Sequence, residues 1–134
     1  MGFHDFYRMS SHAVIFNEQQ QVLLLKATYA DCAWGLPGGG LDQGETVHET
    51  LRRECQEELG CDVKIEYLSG IYYHPTVNSH AFIFKCTLPS DQQIHLSEEH
   101  SEYQWFDFDQ LSPVQKIRVE DCFNFDGQVI SRSF

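Results

Sequence analysis

Residues 37–60 read PGGGLDQGETVHETLRRECQEELG. A rigid, glycine-dense loop, CAWGLPGGGL, runs straight into the strongest helix candidate of the chain, Thr46 to Leu59, and Gly60 is a natural stop for it. Six acidic residues fall within the seventeen positions from Asp42 to Glu58. At about 100° per residue, Leu51, Cys55 and Leu59 share one face, which is the expected core side. His48, Glu49, Arg52 and Gln56 fall on the opposite, solvated side. Glu54, Glu57 and Glu58 occupy a third sector beside the apolar stripe, at i,i+3 and i,i+4 spacings that make their side chains meet.

That sector opposes the helix twice. Each like-charge pair costs about 0.2–0.5 kcal/mol. The three charges also crowd the negative end of the helix dipole, at about 0.3–1 kcal/mol for each well-placed one. A divalent cation would turn the repulsion into ligation, and an all-oxygen donor set suits a hard ion, Mg²⁺ or Mn²⁺. A salt-bridged surface helix is the competing account. Glu49 and Arg53 are i,i+4 in the favourable order, and Arg53 can also reach Glu57. That account leaves the glycine loop and Glu45, at the start of the helix, unexplained.

The rest of the chain bounds the partners. A length of 134 residues suits one domain that buries roughly two-thirds of its unfolded surface. Nine Lys and Arg against twenty Asp and Glu give a formal charge of −11. Such a field repels duplex nucleic acid, and it repels small anions too unless a bound cation reverses the local sign. No window approaches ~18 uninterrupted apolar residues, so no membrane span is expected. The opening MGFHDFYRMSSH has neither a basic nor an apolar signal region, so a cytoplasmic location is expected. The five cysteines, Cys32, Cys55, Cys61, Cys86 and Cys122, include no CxxC pair and are expected to be buried free thiols.

The apolar runs Ser11–Asn17 and Gln21–Ala27, joined by a polar turn, predict a β-hairpin. Strands are predicted over Cys61–His74, His80–Leu88 and Glu102–Phe108. A final helix is predicted from Pro113, with Ser112 as its N-cap. The order β-β-α-β-β-β-α points to an α/β fold with a mixed sheet between helices.

Read from Gly39, the fixed residues are Gly39, Glu45, Arg53, Glu54, Glu57, Glu58 and Gly60. Their spacing resembles the box of the Nudix hydrolases (MutT-like), G-x5-E-x7-R-E-U-x-E-E-x-G-U with U apolar. All seven fixed letters are in place, a coincidence expected in roughly one chain in a million. Cys55 and Cys61 stand at the apolar positions, where a cysteine packs as a small hydrophobe. The box covers residues 39–61, and the flanks WGLPGG and EYQWF also resemble the family. The resemblance implies one Nudix domain over residues 1–134, folded as an α/β/α sandwich.

It also implies roles. Glu54, Glu57 and Glu58 would bind the catalytic Mg²⁺ or Mn²⁺, with one of them acting instead on the attacking water. Arg53 would pair with Glu45 to brace the loop, and the Gly38 carbonyl would face the metal. A further acidic residue from SEEHSEYQWF would complete the site, and among Glu98, Glu99 and Glu102 the alignment favours Glu102. Lys26, Arg8 and Tyr73 are candidate substrate contacts. The implied reaction is metal-dependent hydrolysis of the pyrophosphate bond in a nucleoside diphosphate linked to another moiety. Nucleoside triphosphates, nucleotide sugars and ADP-ribose-type compounds all stay open as substrates. The alternative is a catalytically silent nucleotide-sensing or protein-binding module on the same fold, which an intact box disfavours. Homodimers are common in the family, so a second copy of this chain is a compatible partner.

Overall fold

The computed structural model describes residues 2–29, 31–91 and 93–134. Its strands are β1 (Arg8–Ile15), β2 (Val22–Ala27), β3 (Trp34–Gly35), β4 (Gly38–Gly40), β5 (Lys64–His74), β6 (Ser79–Thr87), β7 (His100–Phe106) and β8 (Ile130–Ser133). The helices are α1 (Val47–Leu59) and α2 (Pro113–Phe123). A five-stranded mixed sheet runs β4-β1-β6-β5-β8, and a three-stranded antiparallel sheet runs β3-β2-β7.

Alternation along the strands decides which helix covers which face. Ala13 and Ile15 of β1 pack with Leu51, Cys55 and Leu59 of α1. Val14, between them, packs with Val119 and Cys122 of α2. β2 divides the same way, Leu23 and Leu25 to one cluster, Val22 and Leu24 to the other. Side chains of successive strand residues point to opposite faces, so two helices on two faces bury Ala13–Ile15 of β1 and Val22–Leu25 of β2 on both sides. The architecture is an α/β/α sandwich with a mixed sheet, as the element order predicts.

The expected hairpin is corrected. β1 and β2 part into different sheets, and their ladder pairing is reduced to the isolated bridge between Phe16 and Val22. The Asn17 side chain organises the turn by accepting the N–H groups of Gln19 and Gln21. Both strands are apolar on both faces, and mutual pairing would not cover them. β1 instead pairs in parallel with β6 over eight residue pairs, from Arg8–Ser79 to Ile15–Cys86. The strand expected at Glu102–Phe108 is His100–Phe106, because the chain turns at Asp107 into a short 3₁₀ segment. β8 was not foreseen, since all four of its residues are exposed and carry no burial pattern.

Helix α1 starts with a reciprocal cap. The Thr46 hydroxyl accepts the Glu49 N–H and the Glu49 carboxylate accepts the Thr46 N–H. It ends at Gly60, which is left-handed at φ 67° and returns its N–H to the Gln56 carbonyl. The start of α2 is as predicted, with the Ser112 hydroxyl capping the Gln115 N–H. Among the described residues no helix is long and apolar enough to cross a membrane. The cysteines are free thiols, four buried and Cys32 exposed.

Candidate active site

The loop and helix of residues 38–60 are tied by one arginine. Arg53 Nε lies 2.6 Å from Glu45 Oε2, and Nη2 donates to Glu45 Oε1 at 2.9 Å. Nη2 also reaches the Gly40 carbonyl at 3.2 Å. Glu45 accepts further bonds from the Thr50 hydroxyl and the Asp42 N–H. The Arg53 bonds and these others hold the Glu45 carboxyl down at about 2. The Glu45–Arg53 brace expected from the sequence thus stands in the structure as a bidentate pair.

The three helix carboxylates are placed side by side but not alike. Glu58 is buried, 4% exposed, and accepts the Gly38 N–H at 2.8 Å. Burial, and then the charges of Glu54, Glu99 and Glu57, push its carboxyl up to about 8 against the pull of that N–H. Glu54 is half-buried and accepts Arg53 Nη1 at 3.0 Å, and burial raises its pKa too. Glu57 is exposed and lies 3.4 Å from the same nitrogen. Arg53 draws two carboxylates toward itself while Gly38 holds the third. Among the described residues no three His, Cys, Asp or Glu side chains therefore converge as a ready cation cage.

Two glycines make this packing possible. Gly38 has φ 141°, and a Cβ there would sit 2.1 Å from the Ser11 carbonyl oxygen. A Cβ on Gly39 would sit 2.6 Å from the Glu54 carboxyl. The loop can press against both the helix carboxylates and β1 only because these positions lack side chains. At Gly38 the structure shows the N–H engaged with Glu58.

A cavity of about 300 Å³ opens directly onto this point. Glu58, Gly38 and Gly39 form its polar end, and Trp34, Leu36, Tyr29 and His12 form much of its wall. His100 also lines it, with its Nδ1 buried and without a hydrogen-bond partner. The cavity thus joins an anionic floor to an aromatic wall, which suits a flat ring tethered to a charged group.

Other expected contacts lie elsewhere. Lys26 and Glu102 are register partners on β2 and β7 and pair with each other at 3.5 Å, with Glu102 60% exposed. Neither lines the cavity. Glu99, in the loop before β7, does not line the cavity either, though its charge adds to burial in raising the pKa of Glu58, Glu54 and Tyr29. Arg8 begins β1 at an exposed position beside Ser79. The Tyr73 hydroxyl bonds to Asn78, and its ring packs edge-on against Tyr7. His12, Tyr29 and His100 were not singled out from the sequence. His12 carried one usable signal, a polar residue at the strand position two before Val14.

Comparison with known proteins agrees with this geometry. A family model described as the NUDIX domain matches residues 6–122. A putative 8-oxo-dGTP diphosphatase of Bacillus subtilis (strain 168) is 28% identical over 122 residues, 88% of this chain and 81% of that protein. A MutT-like protein of Streptomyces ambofaciens is 30% identical over 125 residues, 90% of this chain and 80% of that one. The crystal structure of an ADP-ribose pyrophosphatase from Streptococcus suis 89-1591 shares the fold with a TM-score of 0.75 at 22% identity, covering 96% of this chain and 100% of that one. The brace, the three carboxylates and the glycine loop lie in a match spanning most of the chain, and this chain belongs to the Nudix hydrolase family as one of its pyrophosphohydrolases.

Proposed function

We propose that this enzyme hydrolyses nucleoside triphosphates with Mg²⁺ or Mn²⁺, releasing a phosphate or pyrophosphate from the nucleotide. The observation that carries this reading is the cavity whose one end is Glu58 and Gly38 and whose wall is Trp34 and Tyr29. The Bacillus subtilis relative, described as acting on a nucleoside triphosphate, supports the substrate class.

The residues fit a hard divalent cation. Glu58 is a buried carboxylate whose pKa is raised by burial and then by the charges of Glu54, Glu99 and Glu57, and all of these groups are the oxygen donors that a hard cation takes. Glu54, Glu57, Glu58 and the Gly38 carbonyl would hold the ion, with Glu99 in the place first given to Glu102. When bound, the cation supplies neutralisation of phosphate oxygens and a more acidic water.

The chain's own groups do the remaining work. Arg53 and Glu45 fix α1 against the loop, so the carboxylates keep their spacing during turnover. One carboxylate of the helix takes the proton of the attacking water. Water oxygen bonds to phosphorus, the bridging P–O bond breaks, and the electron pair leaves with the departing phosphate. Trp34 and Tyr29 hold the nucleoside against the wall, which converts encounter into alignment.

A panel of nucleoside triphosphates, nucleotide sugars and ADP-ribose, incubated with Mg²⁺ and scored by product identity, tests this. Triphosphates should be turned over fastest, and excess EDTA should abolish turnover. Equal rates in EDTA, or turnover confined to ADP-ribose or sugars, would overturn the proposal.

A further inference from the structure

Among the described residues that line the cavity beside Glu58 and Gly38, none is a lysine or an arginine. The cations of the adjoining elements are committed elsewhere, Arg53 to Glu45, Glu54 and Glu57, and Lys26 to Glu102. An anionic ligand in this cavity therefore depends on hydrogen-bond donors of the wall for every contact that a bound cation does not make. The lining holds two imidazoles. His12 is engaged, since its Nε2 lies 3.0 Å from the Ser10 hydroxyl and its ring bonds the Leu36 backbone. His100 is not, since its Nδ1 is buried and has no partner.

The chain around that imidazole is nevertheless fixed. The Thr28 N–H donates to the Glu99 carbonyl at 2.8 Å, and the Thr28 hydroxyl donates to the Glu98 carbonyl at 3.0 Å. The His100 N–H returns to the Ser97 carbonyl at 3.3 Å. In the β2–β7 ladder His100 is the partner of Ala27, which also lines the cavity. Its ring stands edge-on to that of Tyr29, with centroids 6.5 Å apart. The loop before β7 is thus tied to the end of β2, and little freedom is lost when a ligand meets the ring. A buried nitrogen left unpaired in so fixed a setting calls for an explanation, and a role toward a ligand is one of the few available.

The neighbours decide which ligand group pairs with it. Tyr29, beside the ring, has its pKa raised by burial and then by the charge of Glu58, which sets both rings toward the anionic end. That end is where a cation would draw phosphate oxygens, and those oxygens accept hydrogen bonds. Nδ1 carries a hydrogen in the protonated imidazole and in one neutral tautomer, and an acceptor selects these forms. A bond from N–H to an ionised oxygen is roughly twice as strong as one between neutral groups. We propose that His100 is a substrate-binding residue whose Nδ1–H donates to a phosphate oxygen of a nucleotide seated at the Glu58 end. This rests on the cavity being the nucleotide site.

The test is calorimetric binding at saturating Mg²⁺ of two probes that need no turnover, inorganic triphosphate and the α,β-methylene analogue of ATP. His100→Leu should weaken both by about tenfold or more, the loss expected for a hydrogen bond to a charged group. His100→Asn should recover most of that affinity, because its amide nitrogen is attached to Cγ, as Nδ1 is. His100→Gln carries its amide nitrogen one atom further out and should resemble His100→Leu. Mg²⁺ affinity measured without phosphate should be the same in all four proteins. Should His100→Leu fail to fold, the contrast between Asn and Gln decides. Failure of the unmodified protein to bind inorganic triphosphate, a loss confined to the ATP analogue, equal binding by the Asn and Gln variants, or a parallel loss of Mg²⁺ affinity overturns the assignment. The expected pattern in a protein that hydrolyses no triphosphate would leave the contact standing and remove the proposed reaction instead.

Discussion

The Glu45 carboxylate meets the edge of the Arg53 guanidinium with both oxygens, at 2.6 Å from Nε and 2.9 Å from Nη2. The same carboxylate receives the Thr50 hydroxyl and, within the loop, the Asp42 N–H, so one side chain fastens the loop to the helix by three bonds and steadies the loop itself by a fourth. Lysine cannot reproduce that fork, since its ammonium is a point charge. Arg53→Lys should therefore loosen the carboxylate array without unfolding the chain. A misplacement of about 1 Å costs on the order of 100-fold in rate. The expected result is a fall of that size in kcat with an unchanged far-UV circular dichroism spectrum. A variant with near-normal kcat would show that the brace has no part in catalysis.

The same pair sets an acid limit. Glu45 titrates at about 2 in the folded chain, below its ordinary value of 4.5. A depressed carboxylate contributes stability that is fully present above the unfolded value and lost as pH falls through the folded one. Urea unfolding of the unmodified protein and Glu45→Gln should differ above pH 5 and converge as the pH approaches 2. A constant difference across that range would mean that Glu45 acts by shape and not by charge.

How much of this could be read in the residues beforehand differs by level. Helix α1 and its glycine stop were legible because they are local, set by spacings within about twenty positions, whereas the Glu45–Arg53 pair was implied by the resemblance of the box to the family's. The parting of β1 and β2 was not legible, because adjacency in sequence favours a hairpin and only the competition among eight strands decides otherwise. β8 was hidden for the opposite reason, since an exposed edge strand has no apolar pattern; it is placed by its parallel pairing with the distant β5, from Gly70–Ile130 to Tyr73–Ser133, and by the ion pair of Arg132 with Asp121. At the site, the pairing of Glu102 with Lys26 follows from the strand register, which sets Lys26 of β2 opposite Glu102 of β7. That is a register property, invisible until β2 and β7 are paired.

Glu58 supplies a prediction for ion binding. With its carboxyl raised to about 8, it is largely protonated at neutral pH when no cation is bound. Ligation requires the deprotonated form, so binding must release a proton. Mg²⁺ titrations at pH 7 in buffers of different ionisation enthalpy should show a buffer-dependent heat, corresponding to up to about one proton released. Glu58→Gln should abolish that dependence. Identical heats in all buffers would place the ion away from Glu58.

The downstream carboxylates should separate cleanly. Glu99 acts electrostatically on both Glu54 and Glu58, whereas Glu102 is engaged with Lys26. Glu99→Gln should raise the Mg²⁺ concentration needed for half-maximal turnover several-fold. Glu102→Gln should leave it unchanged, since an exposed ion pair contributes little. The reverse pattern would restore Glu102 as the ligand.

Cys55 tests whether a thiol takes part in the chemistry. It lies in the box, one residue from Glu54, but its side chain is fully buried with Leu51 and Leu59 against β1 and β6. Burial drives its pKa well above the ordinary thiol value, so no thiolate is available as a nucleophile. Cys55→Ser puts an unpartnered hydroxyl into that contact, which costs about 1–3 kcal/mol. For a chain of this length the unfolding temperature should drop by roughly 4 °C for each kcal/mol. Turnover per folded molecule, measured well below the new midpoint, should stay within about twofold of the unmodified enzyme, the change expected when core packing is disturbed but no transition-state contact is removed. A well-folded Cys55→Ser variant without activity would mean that the packing of α1 against β1 transmits directly to Glu54 and Glu58, and the helix would then have to be treated as part of the reacting geometry and not only as its support.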